Sequence, residues 1–237
     1  ISDVVTSDES ATNAIVTISL GTISAKDILV DYSTSDGTAT SGSDYIATSG
    51  TLEIKAGNTS NWFSIPILPD SLDENNETII VTLTNPSNAS ILDSSSTLTI
   101  TDDDIKPILN ISNIISHEDS KNASLIVSLT SPSAKDILVD YATSDGTATS
   151  GFDYTATSGT ITIAAGDTSG SFSIPILADS LDENNETIII NLSNASNSSF
   201  SNYSSILTIT DDDTAPTLSI SDVTTPDENG KDINISI

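Results

Sequence analysis

Four carboxylates, Asp70, Asp73, Glu74 and Glu77, stand within eight residues at the end of an apolar run in the stretch Ile65 to Thr78. The stretch returns at 174–187 with Asp179, Asp182, Glu183 and Glu186. No lysine, arginine or histidine lies within either copy. Like charges at this spacing repel one another unless something positive sits between them. Oxygen donors unaccompanied by histidine or cysteine select calcium rather than zinc or copper.

Other chemistries fit the residues poorly. With one histidine and no cysteine, no nucleophile and base can be assembled twice in a chain that repeats itself. Paired carboxylates can hydrolyse a glycosidic bond, but that chemistry needs a sugar-sized cleft with aromatic walls, and aromatics make up 4% of the chain. The sequence therefore predicts a binding module and not an enzyme. His117 reads as a surface residue, because repeat one has Asp8 in the same place. Trp62, matched by Ser171, reads as edge-strand packing before it reads as a sugar platform.

Charge narrows the partners. Against 34 acids stand six Lys+Arg residues, all lysine, giving a net charge of −28. Such a surface repels phosphate and anionic lipid, so no nucleic-acid or membrane-surface partner is expected. No eighteen-residue apolar run and no leader-like start occur in residues 1–237, which predicts no membrane insertion and places any export signal outside this stretch.

The elements that position the acids are short strands, repeated. Asp31 to Tyr45 reappears as Asp140 to Tyr154, and Thr99 to Asp104 as Thr208 to Asp213, both at an offset of 109 residues. Ile220 to Val223 echoes Ile1 to Val4, so the chain is expected to be part of a longer tandem array: repeat one over 1–106, repeat two over 107–215, and the truncated start of a third over 216–237. Within a repeat the apolar period is two. Strands are predicted at 1–6, 15–20, 28–34, 51–55, 62–68, 78–83 and 97–101, with turns at Asp36-Gly37, Ser41-Gly42, Ser49-Gly50, Gly57-Asn58 and Asn85-Pro86. Seven strands in about 109 residues, with no helical stripe, describe an all-β chain of two tandem immunoglobulin-like β-sandwiches plus the start of a third.

If successive strands run up and down the sandwich, the first, third, fifth and seventh end at one pole. The residues that follow them are Asp8 and Glu9; Asp36 and Asp44; Asp70, Asp73, Glu74 and Glu77; and Asp102, Asp103 and Asp104. Eleven of the sixteen acids in residues 1–106 thus converge, and the other pole, with Lys26 and Lys55, is expected to be acid-poor. Repeat two follows suit with Glu118 and Asp119, Asp145 and Asp153, Asp179 to Glu186, and Asp211, Asp212 and Asp213. One calcium ion takes six to eight oxygens, so several ions sharing ligands are expected. Because the last strand ends at the acidic pole and the next repeat starts three residues later, the ions are expected at the domain junction.

On Asp36-Gly-Thr-Ala with Gly42 and Asp44-Tyr45, on Asp70 with Glu74 and Glu77, and on the closing Asp102, Asp103 and Asp104, both repeats resemble the Calx-beta family, the calcium-binding β-sandwich of sodium–calcium exchanger regulatory loops and of many large bacterial surface proteins. The resemblance implies calcium ligands at Glu9, Asp36, Asp70, Glu74, Glu77, Asp102, Asp103 and Asp104, and at Glu118, Asp145, Asp179, Glu183, Glu186, Asp211, Asp212 and Asp213. Where the exchanger-type domain has a further acid, Pro69 and Ala178 stand here. Asp73 and Asp182 are the candidates to replace it.

The expected function is a calcium-stiffened extender in a bacterial extracellular or surface-attached protein, an adhesin, whose immediate partners are the neighbouring repeats. Two rivals predict different things. A calcium sensor would bind at sub-micromolar concentration and switch a neighbouring domain. A ligand-binding adhesion domain would contact a glycan or cell-surface protein through loops 85–96 and 194–205.

Overall fold

The computed structural model describes residues 4–5, 9–220 and 222, so the expected third repeat lies almost wholly outside the described residues. Sixteen strands and no helix are present among the described residues. In repeat one they are β1 (Val4–Val5), β2 (Asn13–Ser19), β3 (Ile28–Asp36), β4 (Ser49–Ile54), β5 (Ser60–Pro66), β6 (Glu77–Ser87) and β7 (Ser95–Ile100). One sheet has the order β1-β7-β6-β3-β4 and the other pairs β2 with β5. Alternation drives the packing: in β2, Ala14, Val16 and Ile18 are buried while their neighbours face water. Tyr32 and Phe63, one from each sheet, stack with ring centroids 3.8 Å apart.

Repeat two has nine strands: β8 (Ile108–Ile111), β9 (Ile114–His117), β10 (Asn122–Leu129), β11 (Ile137–Asp145), β12 (Ser158–Ile163), β13 (Ser169–Pro175), β14 (Glu186–Ser193), β15 (Ser199–Phe200) and β16 (Ser204–Thr210). Its sheets are β12-β11-β14-β16-β9 and β13-β10-β8-β15. The single first strand expected from the pattern is split in two here, β8 pairing with β10 in one sheet and β9 running parallel to β16 in the other.

The turn expected at Asn85-Pro86 lies inside β6 instead. The register passes from Leu29 opposite Ser87 to Asp31 opposite Thr84, so two residues of β6 face one of β3, a bulge. Asn85 adopts φ 51° there, a left-handed conformation that asparagine tolerates, and its amide donates to Asp31 Oδ2 at 3.0 Å. The turn signal was real, and the strand absorbed it.

Parallel pairing of β1 with β7, with antiparallel β7-β6 and β6-β3, makes the first, third and seventh strands run the same way. Their ends and the loop after β5 meet at one pole. The opposite pole is less acid-free than expected, since Lys55 there pairs with Glu53 at 2.6 Å and Asp27 at 3.7 Å.

The two repeats have separate cores and are joined at the acidic pole of the first. Asp73, in the loop after β5, is 1% exposed and lies against the β10–β11 loop. Ser133 Oγ donates to its carbonyl at 2.9 Å and its Oδ2 at 3.0 Å, Lys135 Nζ donates to its Oδ1 at 2.9 Å, and the Ala134 amide also donates to its carbonyl.

Candidate metal centre

Two carboxylate groups form at the acidic pole of each repeat. In the first, Glu9 from the loop after β1 meets Asp102 and Asp104 from the segment after β7, with one oxygen from each within 4.8 Å of the others. In the second, Asp44 from the β3–β4 loop meets Glu74 and Glu77 from the β5–β6 segment at the same spacing. Repeat two reproduces both, as Glu118, Asp211 and Asp213 and as Asp153, Glu183 and Glu186. Between the groups lies a hollow of about 10 Å³ bordered by Glu9, Asp44, Asp70, Glu77 and Asp102, and repeat two has its equivalent beside Glu118, Asp153 and Glu186. That is room for a single small particle.

Backbone amides hold these side chains in place. Glu9 accepts from the Asp70 amide at 3.1 Å, Asp102 from the Glu74 amide at 2.9 Å, and Asp44 from the Thr40 amide at 2.6 Å. Asn76 completes the frame by accepting from the Asp102 amide at 3.1 Å. The same contacts recur at Glu118, Asp211, Asp153 and Asn185. One oxygen stays unserved: Asp104 Oδ2 is buried without a hydrogen-bond partner, a costly state for a charged acceptor.

The electrostatics show the same deficit of positive charge. Burial, then the Asp44 charge and a hydrogen bond to Asp44, push Glu77 up to about 7, and burial with Asp153 does the same for Glu186. Glu9, Glu74, Asp104, Glu183 and Asp213 are all raised, first by burial and then by neighbouring carboxylates, with the Glu9 rise partly opposed by the hydrogen bond it accepts from the Asp70 amide. Among the described residues, no lysine forms an ion pair with any member of the four groups. A carboxylate set held by main-chain donors, with raised affinities for protons and an orphaned buried oxygen, fits a hard divalent cation.

The residues named from sequence divide. Glu9, Glu74, Glu77, Asp102 and Asp104, and in repeat two Glu118, Glu183, Glu186, Asp211 and Asp213, lie in the groups. Asp70 borders the hollow and raises Glu9, Glu74 and Asp104, as Asp179 raises Glu183 and Asp213, but their carboxylates turn back to the Leu72 and Leu181 amides at 2.7 Å. Asp36 stands outside the groups: its Oδ1 accepts from the fully buried Tyr45 hydroxyl at 2.7 Å and the Ser41 amide at 3.0 Å, and Asp145 is held alike by Tyr154 and Ser150. Asp103 and Asp212 point to water. Asp73 is committed to Lys135, and Asp182 is exposed. Asp44 and Asp153, which the resemblance did not name and the pole argument alone had marked, lie in the groups.

Two β-sandwiches in tandem, each crowned by carboxylates from four loops, define a class of cation-binding immunoglobulin-like modules. The Calx-beta domain model matches residues 2–104 and 109–213, and the chain belongs to that family. The sodium/calcium exchanger 1 of Rattus norvegicus is 28% identical over 187 residues, 70% of this chain and 19% of the exchanger. The sodium/calcium exchanger 3 of Homo sapiens is 43% identical over 61 residues, 26% of this chain and 7% of that protein. The chain thus spans a small fraction of the length of these curated relatives. Among solved structures, CBD12 from CALX1.2 aligns at a TM-score of 0.43 with 19% identity over 86% of this chain and 96% of that one. The calcium binding domain CBD12 of CALX1.1 aligns at 0.42 with 23% identity over 82% and 78%.

Proposed function

We propose that the chain binds calcium at the acidic pole of each repeat and uses it to stiffen the joint between repeats, as an extender of a bacterial extracellular or surface protein. The observation that carries this reading is the pair of carboxylate groups beside Asp73, the residue through which repeat one grips repeat two. Glu9, Asp102 and Asp104 would hold one ion and Asp44, Glu74 and Glu77 another, with Asp70 in reach of both. Calcium bound there would offset the burial and the Asp44 repulsion that together raise Glu77 and would rigidify the loop carrying Asp73. Each independent site occupied at 100 times its dissociation constant would add about 2.7 kcal/mol to folded-state stability.

An extracellular setting agrees with the partial exposure of the groups, because such modules work with dissociation constants of about 10⁻⁴–10⁻³ M. The sensor reading is favoured by one observation, the similarity to exchangers. Calorimetric titration with calcium separates them. High-micromolar to millimolar binding, with a particle that lengthens and narrows in small-angle scattering relative to chelator, supports the extender. Sub-micromolar binding supports the sensor, and no binding removes both.

A further inference from the structure

Asp102 belongs to the group it forms with Glu9 and Asp104, yet it is tied to the segment that carries the other group. Its Oδ1 accepts from the Glu74 amide at 2.9 Å, and its own amide donates to Asn76 Oδ1 at 3.1 Å. Glu74 and Glu77, which lie either side of Asn76 in the chain, are the members that the β5–β6 segment gives to the second group. The two bonds run in opposite directions between residues 74–76 and residue 102, so together they fix the separation and the orientation of the two segments. Repeat two builds the same bracket. There the Glu183 amide donates to Asp211 Oδ1 and the Asp211 amide to Asn185 Oδ1, both at 3.2 Å.

The sheets do not hold these segments. β7 ends at Ile100 and β5 at Pro66, and β6 begins only at Glu77, so residues 74–76 and 102 lie outside the strands and take their order from contacts such as these. The contact that Asn76 makes is exposed, as is the one that Asn185 makes. Water could replace either side chain at the aspartate amide with little loss of folded-state stability. Water could not hold residue 102 at a fixed distance from residue 76, so the bond supplies geometry more than stability. The residue type points the same way. An aspartate at 76 would accept the same bond, but it would add a fifth carboxylate to residues 70–77. Asparagine offers the acceptor without the charge.

We propose that Asn76 and Asn185 are positioning residues of the calcium sites: by clamping Asp102 and Asp211, each holds the two carboxylate groups of its repeat in one preset arrangement. The proposal rests on calcium binding at the acidic poles. Asn76 is not itself a ligand in this scheme, since its Oδ1 is taken by the Asp102 amide. An ion that must order its ligands as it binds is held more weakly than one that meets them in place. Because the bracket joins one group to the other, loosening it weakens the ions of both groups in that repeat and leaves the other repeat as it was.

The test is calorimetric calcium titration of the 237-residue chain carrying Asn76→Ala, Asn185→Ala or Asn76→Asp, beside thermal melts and amide-proton exchange in chelator. Asn76→Ala should weaken the calcium bound to repeat one about fivefold, the equivalent of one hydrogen bond, and spare the calcium bound to repeat two. Asn185→Ala should do the reverse. In chelator the melting temperature of Asn76→Ala should stay close to that of the wild type while the Asp102 amide exchanges faster. Asn76→Asp restores the acceptor and should recover the affinity lost in Asn76→Ala, at a lower melting temperature in chelator because it adds repulsion. An Asn76→Ala isotherm identical to that of the wild type would overturn the proposal and leave the calcium reading standing. So would a loss that Asn76→Asp does not recover, or one accompanied by unfolding of repeat one in chelator, which would make Asn76 a structural residue. A wild-type chain that binds no calcium would remove the calcium reading and this proposal with it.

Discussion

The Asp73 carboxylate lies 2.9 Å from the Lys135 ammonium, an ion pair between repeats whose side chains are 1% and 14% exposed. Removing one partner of so buried a pair leaves the other charge desolvated, at a cost on the order of 3 kcal/mol. Because each repeat has its own core, the loss should fall on the joint and not on folding. Asp73→Ala is expected to broaden the distribution of inter-repeat distances in small-angle scattering while each repeat keeps its melting temperature. Asp182→Ala, at the exposed equivalent, is the control and should change neither.

Glu77 shows what the clusters cost in the absence of a cation. Burial and Asp44 push its carboxyl up to about 7, so its ionised form works against the fold at neutral pH. Glu77→Gln keeps the shape and removes the charge. Without calcium it should raise the melting temperature, reflecting a stabilisation on the order of 1 kcal/mol once partial exposure and screening are allowed for. With calcium it should lower it, because a ligand oxygen is gone. Paired thermal melts in calcium and in chelator read both signs from one variant.

Much of this was written in the sequence, for physical reasons. Period-two alternation marked Ala14, Val16 and Ile18 as one face of a strand, and strand direction alone brought Glu9, Asp44, Glu77 and Asp102 to one pole. Three things were hidden. The split into β8 and β9 depends on which sheet each half pairs with, a tertiary choice that leaves no local trace. Asp36 looks like a ligand by position, and only the fold shows that the hydroxyl of Tyr45, fully buried nine residues on, and the Ser41 amide engage its Oδ1. Asp73 is one more carboxylate in the same run, and only the docking of repeat two, with Lys135 on the β10–β11 loop, buries it in an ion pair. Its equivalent Asp182 has the same local sequence and is exposed, the repeat expected to follow it lying almost wholly outside the described residues.

The raised carboxyls fix the sign of the pH dependence. In the calcium-free protein Glu77 and Glu186 bind protons up to about 7 when folded and lose them near 4.5 when unfolded. Between those values the folded state holds more protons, so stability is greatest at the low end of the window and falls as pH rises through it. Calcium reverses the trend, because the ion takes the ionised forms and must displace those protons. Melting temperature should therefore fall from pH 5 to about pH 7 without calcium and rise over the same range with it. Titrations in buffers of different ionisation enthalpy should report proton release on binding, largest below pH 7.

Asp36 and Asp44 come from the same loop region and offer a direct trial of the site. Asp44 Oδ2 is steadied by the Thr40 amide at 2.6 Å and groups with Glu74 and Glu77, whereas Asp36 Oδ1 is occupied by Tyr45 and Ser41. Asp44→Asn should weaken calcium binding by about tenfold or more, equivalent to about 1.4 kcal/mol, and leave the calcium-free melting temperature unchanged or higher as repulsion is relieved. Asp36→Asn should do the opposite. Weakening two charge-assisted contacts to a buried tyrosine and a turn amide costs about 1–3 kcal/mol of stability, with little change in calcium affinity for what remains folded. Tyr45→Phe should reproduce the Asp36→Asn loss in part, since it removes one of the same two contacts. Calorimetry beside thermal melts on the three variants decides it. A calcium affinity that collapses in Asp36→Asn and survives in Asp44→Asn would move the second ion to the Asp-Gly turn and take it out of the Asp44, Glu74 and Glu77 group.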